Sequence, residues 1–258
     1  MNNNLVFIFL QSNFSQKMFT KTQAIILNSV KYSDNSLILH TYTRKHSRMA
    51  FVVNGFKSKR CVIKPALQQP LSIVELEMEY QPKRDIQRIK ESKIAYPFNN
   101  IPFDPVRNSI AFLLSEVLFR CLRETEENKT LFDFLTKSIL FLDSAENGIA
   151  NFHLIFLVKL TAFLGFYPNA DQRTENTYFD LINGCFFRNK PTHTHFLSIS
   201  DSDMLHELLC SELETMHLLS YPRQRKNAML EQLMQYYSLH LSDFGHIKSF
   251  DILQTLFK

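Results

Sequence analysis

Hydrophobic and polar residues alternate along the first third of the chain. The clearest case is SIVELEMEY, residues 72–80, where Val74, Leu76, Met78 and Tyr80 share one face and three glutamates share the other. A period of two is typical of a half-buried β-strand. Similar segments occur at 22–30, 36–42, 49–54 and 86–95. Five short strands in succession predict a small β-barrel that is closed or nearly closed.

From about residue 104 the apolar positions recur with the period of a helix. Asp104 followed by Pro105 predicts an N-cap with proline at the first helical position. One apolar face then follows, made of Ile110, Leu113, Leu114, Val117, Leu118 and Cys121. A second helix is predicted to start at Thr130 and to bury Leu131, Phe134, Leu135, Ile139 and Leu142. Further helices are predicted at 149–164, ending at Gly165, and near 200–218, 223–241 and 246–257.

The two patterns together predict an α+β fold, in which an N-terminal β-barrel is followed by an all-α helical domain. We assign residues 18–98 to the barrel domain and 99–258 to the helical domain, with an irregular insertion at about 167–196. Residues 1–17 are predicted to be a disordered or non-native extension with no role in the fold.

The distribution of charge indicates which domain meets a partner. Residues 18–93 contain 14 Lys and Arg against 6 Asp and Glu, whereas residues 94–258 contain 14 against 19. No acidic residue occurs between Asp34 and Glu75. A surface that is merely solvated usually mixes both signs, so a stretch of one sign favours an anionic partner.

The basic stretch of the barrel is the strongest functional signal in the sequence. Small barrels bind nucleic acid along a positive groove, with aromatic side chains as stacking platforms. We therefore predict a nucleic-acid-binding surface made of Arg44, Lys45, Arg48, Phe56, Lys57, Lys59, Arg60 and Lys64. The alternative is a lysine-rich loop without a partner, and the pattern does not distinguish DNA from RNA.

A second basic cluster lies at the start of a predicted helix and consists of Arg223, Arg225 and Lys226. Cations at a helix N-terminus oppose the helix dipole, so their placement needs a reason. Basic side chains beside free backbone N–H groups predict a site for a carboxylate or an acidic peptide, with Met229, Leu230 and Leu233 as an adjacent apolar wall. A solvated first turn is an equally good interpretation.

The sequence offers only weak signals for a metal or for catalysis. The four cysteines are far apart and form no CxxC pair, so we expect free thiols. His193 and His195 with Cys185 form a weak metal-binding pattern, and a polar loop is the better interpretation. Glycine-rich phosphate loops, nucleophile elbows and HExxH motifs are absent from the sequence. We therefore predict no catalytic residue, metal or cofactor, and a protein that is not an enzyme.

The longest apolar run, residues 152–166, contains His153 and Lys159. Because it is short and carries a charge, it predicts a buried helix rather than a membrane span. We expect a cytoplasmic protein without membrane contact.

Three segments resemble the RecO family of bacterial DNA repair proteins. KTQAIILNSVKYSDNSLILHTYTRKHSRMAFVVNGFKSKR (21–60) is similar to the family's opening strands and basic loop. FLVKLTAFLGFYPN (156–169) is similar to the helix that leads into its leucine-glycine-tyrosine turn, and YYSLHLSDFGHIKSFDILQTLF (236–257) to its closing helices. The short motifs NIPFDP, YFDL and YYSLH look most like those of members from the Bacteroidetes group.

The resemblance implies a recombination mediator with an N-terminal OB-fold that binds single- and double-stranded DNA. It also implies annealing of strands coated with single-strand-binding protein (SSB), and work with RecR to load RecA. SSB would be contacted through its acidic C-terminal tail, which suits the cluster Arg223, Arg225 and Lys226. The alternative functions are a general OB-fold RNA-binding protein and a protein-adaptor module.

One departure from the family concerns zinc. Many members carry a four-cysteine zinc site just after the leucine-glycine-tyrosine turn, whereas the corresponding loop here contains only Cys185. The resemblance therefore carries over no zinc site. We expect the loop to be held by its own apolar residues, namely Tyr178, Phe179, Phe186 and Phe187.

Overall fold

The structure is a computed structural model that describes residues 18–58, 61–63 and 69–250. The predicted extension at 1–17 lies outside the described residues. Within the described part, a five-stranded barrel comes first in the chain and a helical region with a small second sheet follows. The predicted α+β fold is confirmed.

Five strands form the closed barrel: β1 (Met18–Lys31), β2 (Ser36–Thr43), β3 (Ser47–Asn54), β4 (Ile73–Tyr80) and β5 (Ile86–Ile94). Their order around the barrel is β1-β2-β3-β5-β4, and β3 and β5 pair in parallel while the other neighbours are antiparallel. A five-stranded Greek-key barrel with this strand order is an OB-fold. All five predicted strands are confirmed.

The alternation seen in the sequence packs the inside of the barrel. Inward side chains of the five strands, among them Leu39, Phe51 and Met78, are almost completely buried. In the segment between β3 and β4, Ile63 is 0% exposed and belongs to the same core. The Ser92 hydroxyl of β5 also donates to the carbonyl of the neighbouring Val62. Val62 and Ile63 are thus anchored to the barrel.

Between residues 99 and 247, the structure contains five α-helices: α1 (Pro105–Cys121), α2 (Lys129–Ser144), α3 (Ile149–Leu164), α4 (Ile199–Cys210) and α5 (Arg223–His240). The predicted cap is confirmed, since the Asp104 carboxylate accepts the N–H of Val106 at 2.8 Å. Gly165 ends α3 at φ +84°, a left-handed conformation that suits glycine. None of the helices in the described ranges combines the length and hydrophobicity that a bilayer span requires.

Two helix predictions need correction. The predicted helix 200–218 is interrupted, because α4 ends at Cys210 and a 3₁₀ helix follows at Leu213–Leu218. Glu212 and Thr215 form a capping box that starts this new turn. In α2, Phe132 is fully buried, whereas Phe134 is half-buried and packs against the core from outside. The predicted helix 246–257 lies mostly beyond the described residues, which are helical at 248–250.

The irregular insertion contains a small antiparallel sheet of β6 (Tyr178–Asp180), β7 (Cys185–Phe187) and β8 (Phe196–Leu197). Phe179 and Phe186 are fully buried with ring centres 4.9 Å apart, so their predicted role is confirmed. Tyr178 packs edge-on against Phe196, and Phe187 faces outward. Apolar contacts on one side of this sheet therefore hold the insertion.

A buried carboxylate supplements those contacts. Asp180 accepts hydrogen bonds from the N–H groups of Ile182 and Asn183, from the Asn183 amide, and from His193 Nε2 at 3.1 Å. Burial by itself would raise the pKa of Asp180, but these hydrogen bonds together lower it. In the described part of the chain, no group of three or more His, Cys, Asp or Glu side chains is placed to hold a metal ion.

The barrel and the helices share one continuous hydrophobic core. Ile25, Leu27, Tyr42, Leu71 and Ile73 of the barrel side belong to the same buried cluster as the apolar faces of the helices. A second cluster fills the barrel itself. The domain boundary predicted at residue 98 therefore separates two sequence patterns but does not coincide with the division between the two clusters, and the domain division stays a prediction.

Candidate nucleic-acid interface

The pairing registers of β1, β2, β3 and β5 place outward side chains in rows across the barrel. One row consists of Val30, Ile38, Val52 and Arg88, and the next consists of Asn28, His40, Ala50 and Ile86. We call these eight residues the outer face. This face is largely apolar, and Val30 and Ile86, at opposite ends of its rows, are exposed to solvent. In OB-folds this side of the barrel is where oligonucleotides bind.

Two loops flank the outer face. Residues 32–35 join β1 to β2 and carry Tyr32, whose side chain is 69% exposed. Residues 81–85 join β4 to β5 and carry the exposed side chains of Lys83 and Arg84. The corresponding loops of OB-folds bind oligonucleotides, and an exposed ring beside cations offers both base stacking and phosphate contact.

The sequence analysis missed four of these residues: Tyr32, Lys83, Arg84 and Arg88. The available signal was the pair of polar turns KYSDNS (31–36) and PKRD (82–85) between predicted strands. An alternating pattern locates such turns. It does not show where these turns lie relative to the outer face, because that depends on strand order.

The segment after β3 carries the predicted pair Phe56 and Lys57. Gly55 turns the chain at φ +67°. The Phe56 ring then packs half-buried against the barrel core, and the exposed Lys57 ammonium lies 5.6 Å from its centre. Three further predicted residues, Lys59, Arg60 and Lys64, lie outside the described residues.

The three basic residues of the turn between β2 and β3 are placed differently. Arg44 forms a two-pronged ion pair with Asp133 of α2, with Nη2 3.3 Å from Oδ2. Arg48 donates to the carbonyl of Phe119 at 3.1 Å, and its guanidinium lies 4.3 Å from the centre of that ring. Lys45 is exposed. The contacts of both arginines thus lie between the barrel and the helices.

The surroundings of Arg48 change its titration. Burial lowers the pKa of the guanidinium to about 10, and the nearby Arg123 also lowers it. At neutral pH Arg48 is still charged, and the ring of Phe119 and carbonyls at the end of α1 balance that charge. A role of Arg44 and Arg48 in DNA binding stays a prediction.

The connection between α1 and α2 completes this contact. The Arg48 N–H donates to the carbonyl of Glu124 at 3.1 Å, and the Tyr42 hydroxyl donates to the Glu124 carboxylate at 2.9 Å. Ser47 has φ +48°, a conformation uncommon for residues other than glycine, and its hydroxyl donates to the carbonyl of Glu126. An acidic connection therefore holds the basic turn in place.

The second predicted site lies at the start of α5. The Arg225 guanidinium donates to the carbonyl of Ser200 at 2.7 Å and to its hydroxyl at 2.8 Å, and it lies 5.7 Å from the centre of the Tyr221 ring. Arg223 is the first residue of the helix and makes a contact of its own. Met229, Leu230 and Leu233 are buried in the core, so the predicted open apolar wall is wrong.

Lys226 is half-buried. Burial lowers the pKa of its ammonium group. It faces His153 of α3, whose pKa is lowered to about 3 by burial and by the charge of Lys226. His153 Nδ1 is buried and has no hydrogen-bond partner among the described residues. His153 of α3 is therefore a neutral histidine that lies beside Lys226, a half-buried cation at the start of α5.

The barrel order, the outer face and the attached helices define an OB-fold protein with a C-terminal helical domain. Comparison with known proteins agrees: the family model "Recombination protein O N terminal" matches residues 18–98, and "Recombination protein O C terminal" matches residues 102–249. The chain therefore belongs to the RecO family of DNA repair proteins. This confirms the resemblance found in the sequence.

Three relatives show how far the similarity extends. The DNA repair protein RecO of Phocaeicola vulgatus is 42% identical over 240 residues, which cover 93% of this chain and 100% of that protein. The RecO protein of Bacteroides fragilis strain ATCC 25285 is 41% identical over 241 residues, and that of Flavobacterium johnsoniae is 35% identical over 242, with the same shares covered. Membership of the family implies DNA and recombination proteins as partners.

Proposed function

We propose that this protein is a non-enzymatic recombination mediator. It binds single- and double-stranded DNA through its barrel, anneals complementary strands coated with SSB, and helps to load RecA together with RecR. The observation that supports this proposal best is the apolar outer face between loops that carry Tyr32, Lys83 and Arg84.

DNA binding follows from two kinds of contact on this surface. Tyr32 offers an exposed ring on which a base can stack, and the outer face accommodates the apolar sides of neighbouring bases. Cations around it contact phosphates, and the proposal assigns this role to the described residues Lys45, Lys57, Lys83, Arg84 and Arg88 and to the predicted residues Lys59, Arg60 and Lys64. Arg44 and Arg48 are assigned to holding the barrel against the helices.

Annealing needs no chemical step. Two complementary strands repel each other through their phosphates, and a protein that neutralises phosphates on both reduces that repulsion. Single strands bound by stacking and charge, without readout of sequence, keep their base-pairing edges free to meet. The role of the protein is therefore to bring strands together at low electrostatic cost.

The SSB tail is assigned to the cluster Arg223, Arg225 and Lys226. An acidic peptide with a terminal carboxylate suits cations at the N-terminus of α5, where the helix dipole favours negative charge. Arg225 is already bonded to Ser200, so the tail would exchange with or extend that contact. Binding the tail tethers the mediator to a coated strand and raises its local concentration there.

The decisive test is a salt series with a fluorescent single-stranded oligonucleotide. Replacing Lys57, Lys59 and Arg60 by alanine removes three phosphate contacts, so the slope of log affinity against log salt should decrease by about 2. The matched control replaces Lys137 and Lys190, which are exposed in the helical region. An unchanged slope in the triple variant would remove this segment from the proposed interface.

The same titrations separate the rival functions. A mediator should bind DNA and accelerate annealing of SSB-coated strands, and the Arg223, Arg225 and Lys226 triple alanine variant should lose that acceleration only when SSB is present. Stronger binding to RNA of equal length would favour the RNA-binding alternative. No binding of either nucleic acid at low salt would favour a protein adaptor.

A further inference from the structure

A groove of about 640 Å³ runs between β1, α1 and the helical turn at residues 248–250. The residues that matter for its chemistry are Asn28, Phe112, Glu116, Phe119, Arg120 and Lys248. None of them belongs to the nucleic-acid-binding surface predicted from the sequence. The groove therefore calls for an explanation of its own.

One face of α1 builds the long wall of the groove. Phe112, Glu116, Phe119 and Arg120 follow each other at helical spacing and extend over about 12 Å. Phe119 is held by His40 and Arg48, but Phe112 is 51% exposed. A half-exposed phenylalanine in the middle of a helix gives the groove an open aromatic surface.

The side chains that the groove offers to a ligand are mainly positively charged. The Glu116 carboxylate accepts the N–H of Lys248 at 3.1 Å, and the N–H and hydroxyl of Ser249 at 2.8 and 2.7 Å. Burial alone would raise the pKa of Glu116, but these bonds and the charge of Arg120 lower it, so the carboxylate stays ionised and engaged. The Lys248 side chain is exposed, and the buried Nε of Arg120 has no hydrogen-bond partner among the described residues.

The groove is continuous with the outer face of the barrel. Asn28 belongs to a row of the outer face and also lines the groove. Phe119 lines the groove as well, and its ring contacts His40 of the same row at 5.1 Å between centres. A ligand that lies across the outer face can thus pass along β1 into the groove without leaving the protein surface.

We propose that the groove extends the DNA-binding surface and receives a single strand that leaves the outer face. One base stacks on Phe112, and the phosphates on either side contact Arg120 and Lys248. This inference rests on the proposed function. A single strand is assigned, rather than a duplex, because only an unpaired base is free to lie flat on an isolated ring.

An acidic peptide is the competing occupant. It would pair with the outward main-chain groups of β1 at Ser29 and Lys31, beyond the part of β1 that pairs with β4. That free edge of β1 is short, whereas the groove joins a row of the outer face that crosses four strands of the barrel. The structure therefore favours the DNA strand.

The test uses oligothymidylates of two lengths and two double variants of the full chain. The groove variant is Phe112→Ala with Lys248→Ala, and the barrel variant is Tyr32→Ala with Arg84→Ala. A strand of about 6 nucleotides occupies the outer face alone, whereas one of about 20 nucleotides also reaches the groove. We expect the groove variant to lose roughly tenfold in affinity for the long strand and to bind the short one normally, and the barrel variant to lose affinity for both.

The matched control is Phe103→Ala with Lys137→Ala, which removes an exposed phenylalanine (80% exposed) and an exposed lysine outside the groove. It should bind both strands like the unchanged protein, and thermal unfolding should show that all variants are folded. As a second measurement, a long strand containing 5-iodouracil should form photo-crosslinks to the peptide that contains Phe112.

The outcomes separate the inference from the proposed function. Normal binding of the long strand by the groove variant, together with loss in the barrel variant, would overturn the inference alone. Absence of binding by the unchanged protein would overturn the proposed function. Unchanged DNA binding with lost binding of an acidic peptide that ends in an apolar residue would assign the groove to a peptide and overturn the inference.

Discussion

Two short basic segments of the barrel carry the same charge and differ in what they contact. TRKHSR (43–48) and GFKSKR (55–60) each contain three Lys and Arg and no acidic residue. In the first, Arg44 and Arg48 bond to the helical region, whereas Lys57 of the second is exposed beside Phe56. Positive charge in a sequence therefore indicates an anionic partner without showing whether that partner belongs to the same chain.

The difference has a physical cause in the helices. The first segment faces the C-terminal end of α1, where unpaired carbonyls concentrate negative potential, and an acidic connection follows. Asp133 of α2 adds a carboxylate. In the second segment, Phe56 packs against the barrel itself, and the nearby Val62 and Ile63 do so as well. Intramolecular contacts therefore hold the first segment, and the second is the better candidate for contacting DNA.

The largest expected effect tests the first segment. Arg48→Ala removes two hydrogen bonds and a cation–ring contact at the junction of barrel and helices, so the free energy of unfolding should fall by about 2–3 kcal/mol. Urea denaturation measures it. Lys57→Ala is the control and should change that free energy by less than about 0.5 kcal/mol. Equal stability of the two variants would show that the two segments do not differ in their contribution to the fold.

The next effect concerns the proposed DNA-binding surface, which includes Tyr32 and excludes the first segment. Tyr32→Ala should weaken binding of a single-stranded oligonucleotide by about 1–2 kcal/mol, because one base loses its stacking partner. Its stability should stay the same, since the side chain is mostly exposed. Fluorescence anisotropy at low salt measures binding, and Tyr96→Ala is the matched control. If Arg48→Ala, once shown to be folded, weakened binding more than Tyr32→Ala, the first segment would belong to the interface.

A smaller effect isolates the ion pair between Arg44 and Asp133. Their side chains are 38% and 44% exposed, so solvent screens their attraction. A double-mutant cycle with Arg44→Ala and Asp133→Ala should give a coupling energy of about 0.5–1 kcal/mol in unfolding. Added salt should reduce it. A coupling of zero would leave Arg48 and the shared core as the main links between the barrel and the helices.

The smallest effect is the contribution of one histidine, His46, to the pH dependence of stability. Burial lowers the pKa of His40, His46 and His153, that of His153 to about 3, and the charges of Arg48, Lys45 and Lys226 respectively lower them further. Below about pH 6.5 the unfolded chain binds protons that the folded chain does not, so stability is complete above that pH and decreases as pH falls.

Urea midpoints measured between about pH 7 and pH 5 test this direction. His46→Gln should flatten the decrease in part, because the unfolded variant no longer gains a proton at that position. A variant that retains the whole decrease would show that His46 does not contribute to it.

The fold was predictable from the sequence because its signals are local. A period of two in the first third predicted all five barrel strands, and Asp104 with Pro105 predicted the start of α1. The interruption after α4 was harder to foresee, because the capping box of Glu212 and Thr215 lies within a stretch whose apolar pattern is continuous with helix.

The candidate interface was predictable only in part. The sequence indicated a basic barrel, but strand order and register place Arg88 on the outer face and Tyr32, Lys83 and Arg84 in the loops that flank it. Likewise, the apolar wall expected from Met229, Leu230 and Leu233 is buried, since helical spacing shows that residues share a face without showing which face is outside.

The sequence by itself determined which segments are strands and helices, that the first third is basic, and that the chain resembles a family of DNA repair proteins. Those properties depend on residues close together in the chain. Only the tertiary structure decided which cations are engaged within the chain and which are exposed, because Arg44 and Asp133 are 89 positions apart and meet through packing. It also decided that the groove along α1 adjoins the outer face, since strand pairing and a shared core set the position of the barrel against the helices.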